Sequence, residues 1–150
     1  MLGDIYTEQG NFEQAIETYN YILSVEPDNA ECHNYLGYLL WQLDKNDEAV
    51  EAYNRAIALN LDNPIAYNNL GVIYLDEKCQ LKKALEMFEQ AVALKPDYTL
   101  ARFNVARTLE ALGQTAGAAK VYTEALALNA ENPELDDAEI QERLENLFQV

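Results

Sequence analysis

One histidine, two cysteines, six glycines and four prolines are all that the 150 residues hold of these types, and each scarcity excludes something. His33, Cys32 and Cys79 cannot build a Cys/His zinc site or a disulfide framework. No metal or cofactor is expected, and both thiols read as free, as in a reducing cytoplasm. So few glycines and prolines disfavour an all-β domain with many tight turns. Bases are scarce too: 10 lysines and arginines face 26 acids, a formal charge of -16. Phosphate backbones and anionic lipid surfaces repel such a chain, so neither nucleic acid nor a membrane surface is an expected partner. No run of apolar residues is long enough to insert into a membrane, and MLGDIYTEQG lacks the basic start and apolar stretch of a signal peptide. Hydrophobic residues are not scarce. At 49% of a chain whose length suits one domain, they argue for a packed core rather than disorder.

What is present is a repeat. Leu2-Gly3, Leu36-Gly37 and Leu70-Gly71 recur every 34 residues. Ala15, Ala49, Ala84 and Ala118 follow in the same register, with one extra residue in the third unit around Asp76 to Gln80. Four residues after each alanine stands an aromatic: Tyr19, Tyr53, Phe88 or Tyr122. Apolar residues inside each unit keep helical spacing, as in Ala49, Val50, Tyr53, Ala56 and Ile57. Gln9-Gly10-Asn11, Asp44-Lys45-Asn46 and Leu112-Gly113-Gln114 break the first, second and fourth units into two helices. Asn63-Pro64 and Asn132-Pro133 read as helix starts, an asparagine cap before a proline suited to the first turn. Gly37 and Gly71 would let the two helices approach closely, with Tyr53 and Phe88 filling the space beside them.

The sequence resembles the tetratricopeptide repeat, whose pattern W-x2-L-G-x2-Y, A-x3-F, P is met by Tyr67, Leu70, Gly71, Tyr74, Ala84, Phe88 and Pro96 and, in part, by His33, Leu36, Gly37, Ala49 and Tyr53. Val105-Ala106 replaces Leu-Gly in the fourth unit, and Leu61 and Ala130 stand where proline is usual. The resemblance implies an all-α right-handed superhelix of four helix-turn-helix units over 1–133: a truncated first repeat at 1–29, then 30–63, 64–98 and 99–132. Met1 would fall inside the first helix of its unit. Residues 134–150 read as a capping helix, with Ile140, Leu144, Leu147 and Phe148 on one face to cover the last hydrophobic surface.

Catalysis finds no support in the residue types. There is no second imidazole, no serine elbow and no glycine-rich phosphate loop, and His33 fills the slot where the repeat pattern has tryptophan, a packing position. The chain is expected not to be an enzyme. The resemblance implies instead a concave groove, lined by the first helix of each unit, that holds a peptide or protein segment. Carried over residue by residue, its candidate lining is Asn34, Tyr38, Trp41, Asn68, Asn69, Val72, Phe103, Asn104 and Arg107. Asparagines can hold a peptide backbone, and the aromatics offer apolar area at low entropic cost. The family's clamp for heat-shock chaperone tails needs two lysines, two asparagines and an arginine. Its positions hold Asn34, Tyr38, Asn69, Leu100 and Asn104, of which only Asn69 matches, so that partner is not expected.

Charge is uneven along the array. Residues 1 to 44 carry eight acids and no lysine or arginine, whereas residues 78 to 107 carry six bases against three acids. A bound segment would therefore point basic residues toward the first units and an acidic group toward Arg107, unless Arg107 pairs with Glu110 or Asp76 and serves only the architecture. The expected function is a non-enzymatic adaptor for a protein segment of unidentified sequence; the alternatives are a self-associating scaffold and the docking module of a larger protein.

Overall fold

Four glycine or alanine positions and four aromatic rings set the architecture of the computed structural model, which describes residues 2–149. A Cβ placed on Gly3, Gly37 or Gly71 would lie 2.8 Å from Tyr19, 2.9 Å from Tyr53 or 2.6 Å from Phe88. Each ring is fully buried, so only a glycine lets the two helices of its hairpin close over it. The fourth unit carries Ala106 in that place, packed in one cluster with Tyr122 and Phe103.

The hairpins are α1 (Leu2–Glu8) with α2 (Phe12–Val25), α3 (Ala30–Gln42) with α4 (Asn46–Leu59), α5 (Pro64–Val72) with α6 (Leu81–Leu94), and α7 (Thr99–Ala111) with α8 (Thr115–Glu131); α9 (Asp137–Asn146) follows. Every regular element among the described residues is helical, and none is long and apolar enough to cross a membrane. The side chain of Leu2 and the whole of Met1 and Val150, to which the readings of a truncated start and of a cap reaching 150 extend, lie outside the described residues. Each first helix also packs on the second helix of the preceding unit. Leu39 and Ile73, in register, are fully buried there.

Turn chemistry agrees across units. Two residues past the end of each first helix the backbone is left-handed: Gly10 at φ 73°, Asp44 at 60°, Cys79 at 50° and Gly113 at 73°. Glycine does this freely and aspartate tolerates it, whereas cysteine does not. Cys79 is exposed, so Cys79→Gly should relieve strain without losing a contact. A gain of up to about 1 kcal/mol in urea unfolding is expected; no gain would show that the turn is relaxed as it stands.

The extra residue of the third unit is absorbed at Ile73–Glu77, a π-helical turn continuing α5. There the amide of Lys78 donates to the carbonyl of Ile73 at 3.1 Å, one residue further back than in an α-helix. Lys78 then reaches Asp47 and Asn46 faces Glu77, tying the wide turn to the start of α4.

Helix starts divide into one met and one corrected. Asn63 caps α5, its Oδ1 accepting from the amide of Ala66 at 3.0 Å with Pro64 in the first turn. Asn132-Pro133 does not start a helix. Asn132 ends α8, and Asp136 caps α9, accepting from Ala138 at 2.9 Å. The reason is Asn129, buried on the last turn of α8. Its Oδ1 accepts from the amides of Glu134 and Leu135 at 2.8 and 2.9 Å, and its Nδ2 donates to the Leu135 carbonyl and to Asp137, each at 2.7 Å. One side chain thus holds the connection out of helix until Asp136. From there Ile140, Leu144 and Leu147 close over Phe103, Ala106 and Tyr122.

Candidate functional site

Residues nine, twelve and thirteen places along each first helix lie on one face. At the C-terminal end that face is directly visible as a recess of about 250 Å³ lined by Leu75, Asp76, Arg107, Glu110, Ala111 and Arg143. By the 34-residue register the same face carries Asp4, Tyr38 and Val72 in line with Arg107, and Trp41 in line with Leu75 and Glu110. This is the inner face of the stack.

Of the nine candidate lining residues, three are not available to a ligand, which corrects the reading of an open asparagine-lined groove. Asn68 and Asn104 are buried, and Asn104 donates its Nδ2 to Asn68 Oδ1 at 3.0 Å. Two amides 36 residues apart thus satisfy each other and bolt α7 to α5. Phe103 is buried beneath α9, its ring 5.6 Å from that of Tyr122 with the Arg143 guanidinium 5.9 Å above it. The remaining six have surface. Tyr38 is 36% exposed, and Asn34, Trp41, Asn69, Val72 and Arg107 are half-buried. Tyr38 and Trp41 meet edge to face with centroids 6.4 Å apart, and Trp41 leans on the core cluster of Leu40, Tyr53 and Ala66.

Arg107 takes the second of its two expected roles, that of an internal ion pair. Its guanidinium donates to Asp76 at 2.9 Å and to Asn104 Oδ1 at 3.2 Å, so the cation reserved for a ligand's acidic group already has an internal carboxylate. A second pair lies beside it, Arg143 to Glu110 at 3.4 Å. Glu110 in turn accepts from the Tyr122 hydroxyl at 2.7 Å. Burial and that carboxylate hold the Tyr122 hydroxyl well above the ordinary phenol range. Arg143 comes from α9, outside the 34-residue repeat, so no column of the sequence pointed to it.

His33 serves the fold. Its Nε2 lies 2.9 Å from the Pro27 carbonyl, which can only accept, so that nitrogen carries the proton and ties α3 to the preceding turn. Among the described residues no three His, Cys, Asp or Glu side chains are grouped to hold a metal ion.

A family model described as tetratricopeptide repeat matches residues 1–60 and 36–78, and a second of the same description matches 74–139. The chain belongs to the tetratricopeptide-repeat family. Solved structures of similar fold include MamA, at TM-score 0.81 and 20% identity over 98% of this chain and 92% of that one. MamA 41-end from Desulfovibrio magneticus RS-1 follows at 0.79 and 20%, over 88% and 74%. The Arabidopsis OM64 TPR domain aligns at 0.69 and 24%, over 78% and 94%. At such identities the likeness is one of fold. No curated protein sequence matches the chain. As a tetratricopeptide-repeat array the chain has the architecture of a protein-interaction module or scaffold.

Proposed function

We propose that the chain is a non-enzymatic adaptor that holds an extended or helical segment of a partner protein along its inner face. The observation that carries this is the row Tyr38, Trp41 and Val72: two aromatic rings and an aliphatic side chain, partly open to solvent on the face of the stack whose other end forms the recess beside Arg107. Partly exposed aromatics on a rigid helical scaffold can anchor a ligand with little entropy to lose. Asn34 and Asn69 lie half-buried on the same first helices, the Asn69 oxygen accepting from Asn68 at 3.5 Å.

A random-peptide library panned on the protein tests the reading. Selected peptides should lose about tenfold or more in affinity to Tyr38→Ala or Trp41→Ala, the usual cost of truncating an anchor. Tyr38→Ala should move the thermal midpoint little, because the ring is 36% exposed and lies outside the core clusters. Glu51→Ala, on the outer α4, should do nothing. Selected peptides indifferent to both aromatic variants would reject the inner face as the binding surface.

Self-association has its own support at the other end of the array, where Ile5, Tyr21 and Val25 are half or more exposed. Sedimentation velocity over a concentration series separates the two readings: the adaptor stays monomeric and the scaffold grows.

A further inference from the structure

The inner face is not electrically uniform, and the difference lies in which acids have partners. In the recess beside Arg107 both carboxylates have a cation, Asp76 with Arg107 and Glu110 with Arg143. Toward the N-terminus the same face presents Glu8 at the end of α1 and Glu31 in the first turn of α3, both exposed. Neither takes part in an ion pair among the described residues. The two bases of the second unit are engaged elsewhere, Arg55 with Asp28 and Lys45 with Glu48. The resulting negative field is felt by neighbours. Burial first, then the charges of Glu31 and Asp4, push the Tyr35 hydroxyl up, and burial followed by Glu31, Glu26 and Asp4 does the same to the Cys32 thiol.

Between the acid end and the neutralised end lies the aromatic pair. Tyr38 stands in register with Asp4 on one side and Val72 on the other, and Trp41 lies one turn further along α3. Aromatic faces beside carboxylates suit lysine and arginine, whose alkyl stems lie on a ring while the head reaches an acid. An acidic ligand would meet Glu8 and Glu31 unscreened, and it would have to displace Asp76 to reach Arg107.

We infer that the segment held on the inner face is a cationic peptide stretch, its lysines or arginines seated against Glu8 and Glu31 and an adjoining apolar side chain laid on Tyr38, Trp41 and Val72. This rests on the adaptor reading above and narrows it to one ligand chemistry. It also replaces the two-ended polarity expected from sequence, because Arg107 is already paired with Asp76.

Three short synthetic peptides test it, each alternating leucine with lysine, glutamine or glutamate, with binding read by fluorescence anisotropy. The lysine peptide should bind, weaken as salt rises to physiological levels and beyond, and outcompete the glutamine peptide; the glutamate peptide should not bind. Glu8→Gln with Glu31→Gln should weaken the lysine peptide roughly five- to tenfold, the scale of two exposed ion pairs, and leave the glutamine peptide unchanged. Glu17→Gln with Glu51→Gln removes the same charge from exposed positions on the second helices and should leave the lysine peptide's affinity as it was. Equal losses in the two double variants would mean diffuse attraction to an acidic protein and overturn the inference, as would no lysine-peptide binding at low salt. Equal binding of all three peptides, each lost in Tyr38→Ala, would overturn the charge chemistry while leaving the groove in place. Lysine-peptide binding indifferent to Tyr38→Ala and to both double variants would remove the groove reading itself.

Discussion

Replacing Gly71 by leucine should cost about 3 kcal/mol or more of unfolding free energy, at the upper end of overpacking penalties. A Cβ there lies 2.6, 2.8 and 2.9 Å from three carbons of the Phe88 ring. Phe88 is fully buried in a cluster with Leu75, Ala84 and Val105 and has no free space to move into. Two effects compete in the smaller change Gly71→Ala. Helix propensity favours alanine by about 1 kcal/mol, but overlap with a fixed ring costs more, so alanine should also destabilise. For a chain of this length the leucine variant should melt roughly 10 °C lower. A double-mutant cycle locates the cause: with Phe88→Leu in the background, the penalty of Gly71→Ala should shrink markedly. Full additivity would show that the helix contact is not where the glycine acts.

Removing residues 134–150 should have the other large effect. Ile140 is fully buried, and with Leu144 and Leu147 it covers Phe103, Ala106 and Tyr122. Burial of these three aliphatic side chains contributes roughly 5 kcal/mol gross, against which stands the entropy of ordering α9. Deletion also strands Asn129, whose four hydrogen bonds all go to the segment removed. In a stack where each unit contacts only its neighbours, the fourth unit should fray first. The expected readouts are increased binding of a hydrophobic dye, aggregation on warming and faster exchange of α7 and α8 amides. The point variant Ile140→Ala should lose about 2 to 5 kcal/mol. A deleted chain as stable and soluble as the parent would mean that α9 covers nothing of consequence.

The fold was legible because its determinants repeat. Leu36-Gly37 and Leu70-Gly71, with Tyr53 and Phe88 in step behind them, state the close helix contact in two columns of sequence, and the structure puts the ring against the glycine in each case. The inner face was less legible because accessibility there depends on pairing between units. Nothing local distinguishes Asn69, half-buried, from Asn68 and Asn104, which are sealed by a hydrogen bond across 36 residues. Arg107 stayed open between a ligand's acid and an internal partner because that partner, Asp76, lies 31 residues away in the lengthened turn. Asn132-Pro133 misled for the opposite reason: a sound local signal was overridden by a buried asparagine three residues earlier, whose reach no local rule contains.

The π-helical turn at Ile73–Glu77 gives the array a means of keeping phase. One added residue in a continuous α-helix rotates everything beyond it by about 100 degrees, which would carry a buried stripe toward solvent. Here the surplus is confined to a single widened loop of backbone just before the hairpin bend. Leu75 still points inward, and Ala84, Phe88 and Ala91 beyond the bend return to fully buried places equivalent to those of Ala49, Tyr53 and Ala56 one unit earlier. The bend between the two helices of a unit is thus a place where length can change by one without transmitting the error, as a slack link lets a chain drive tolerate an odd tooth. The same slack sets Asp76 against Arg107, so a change in length becomes a change in which charges on the inner face are satisfied, while the core downstream keeps its register.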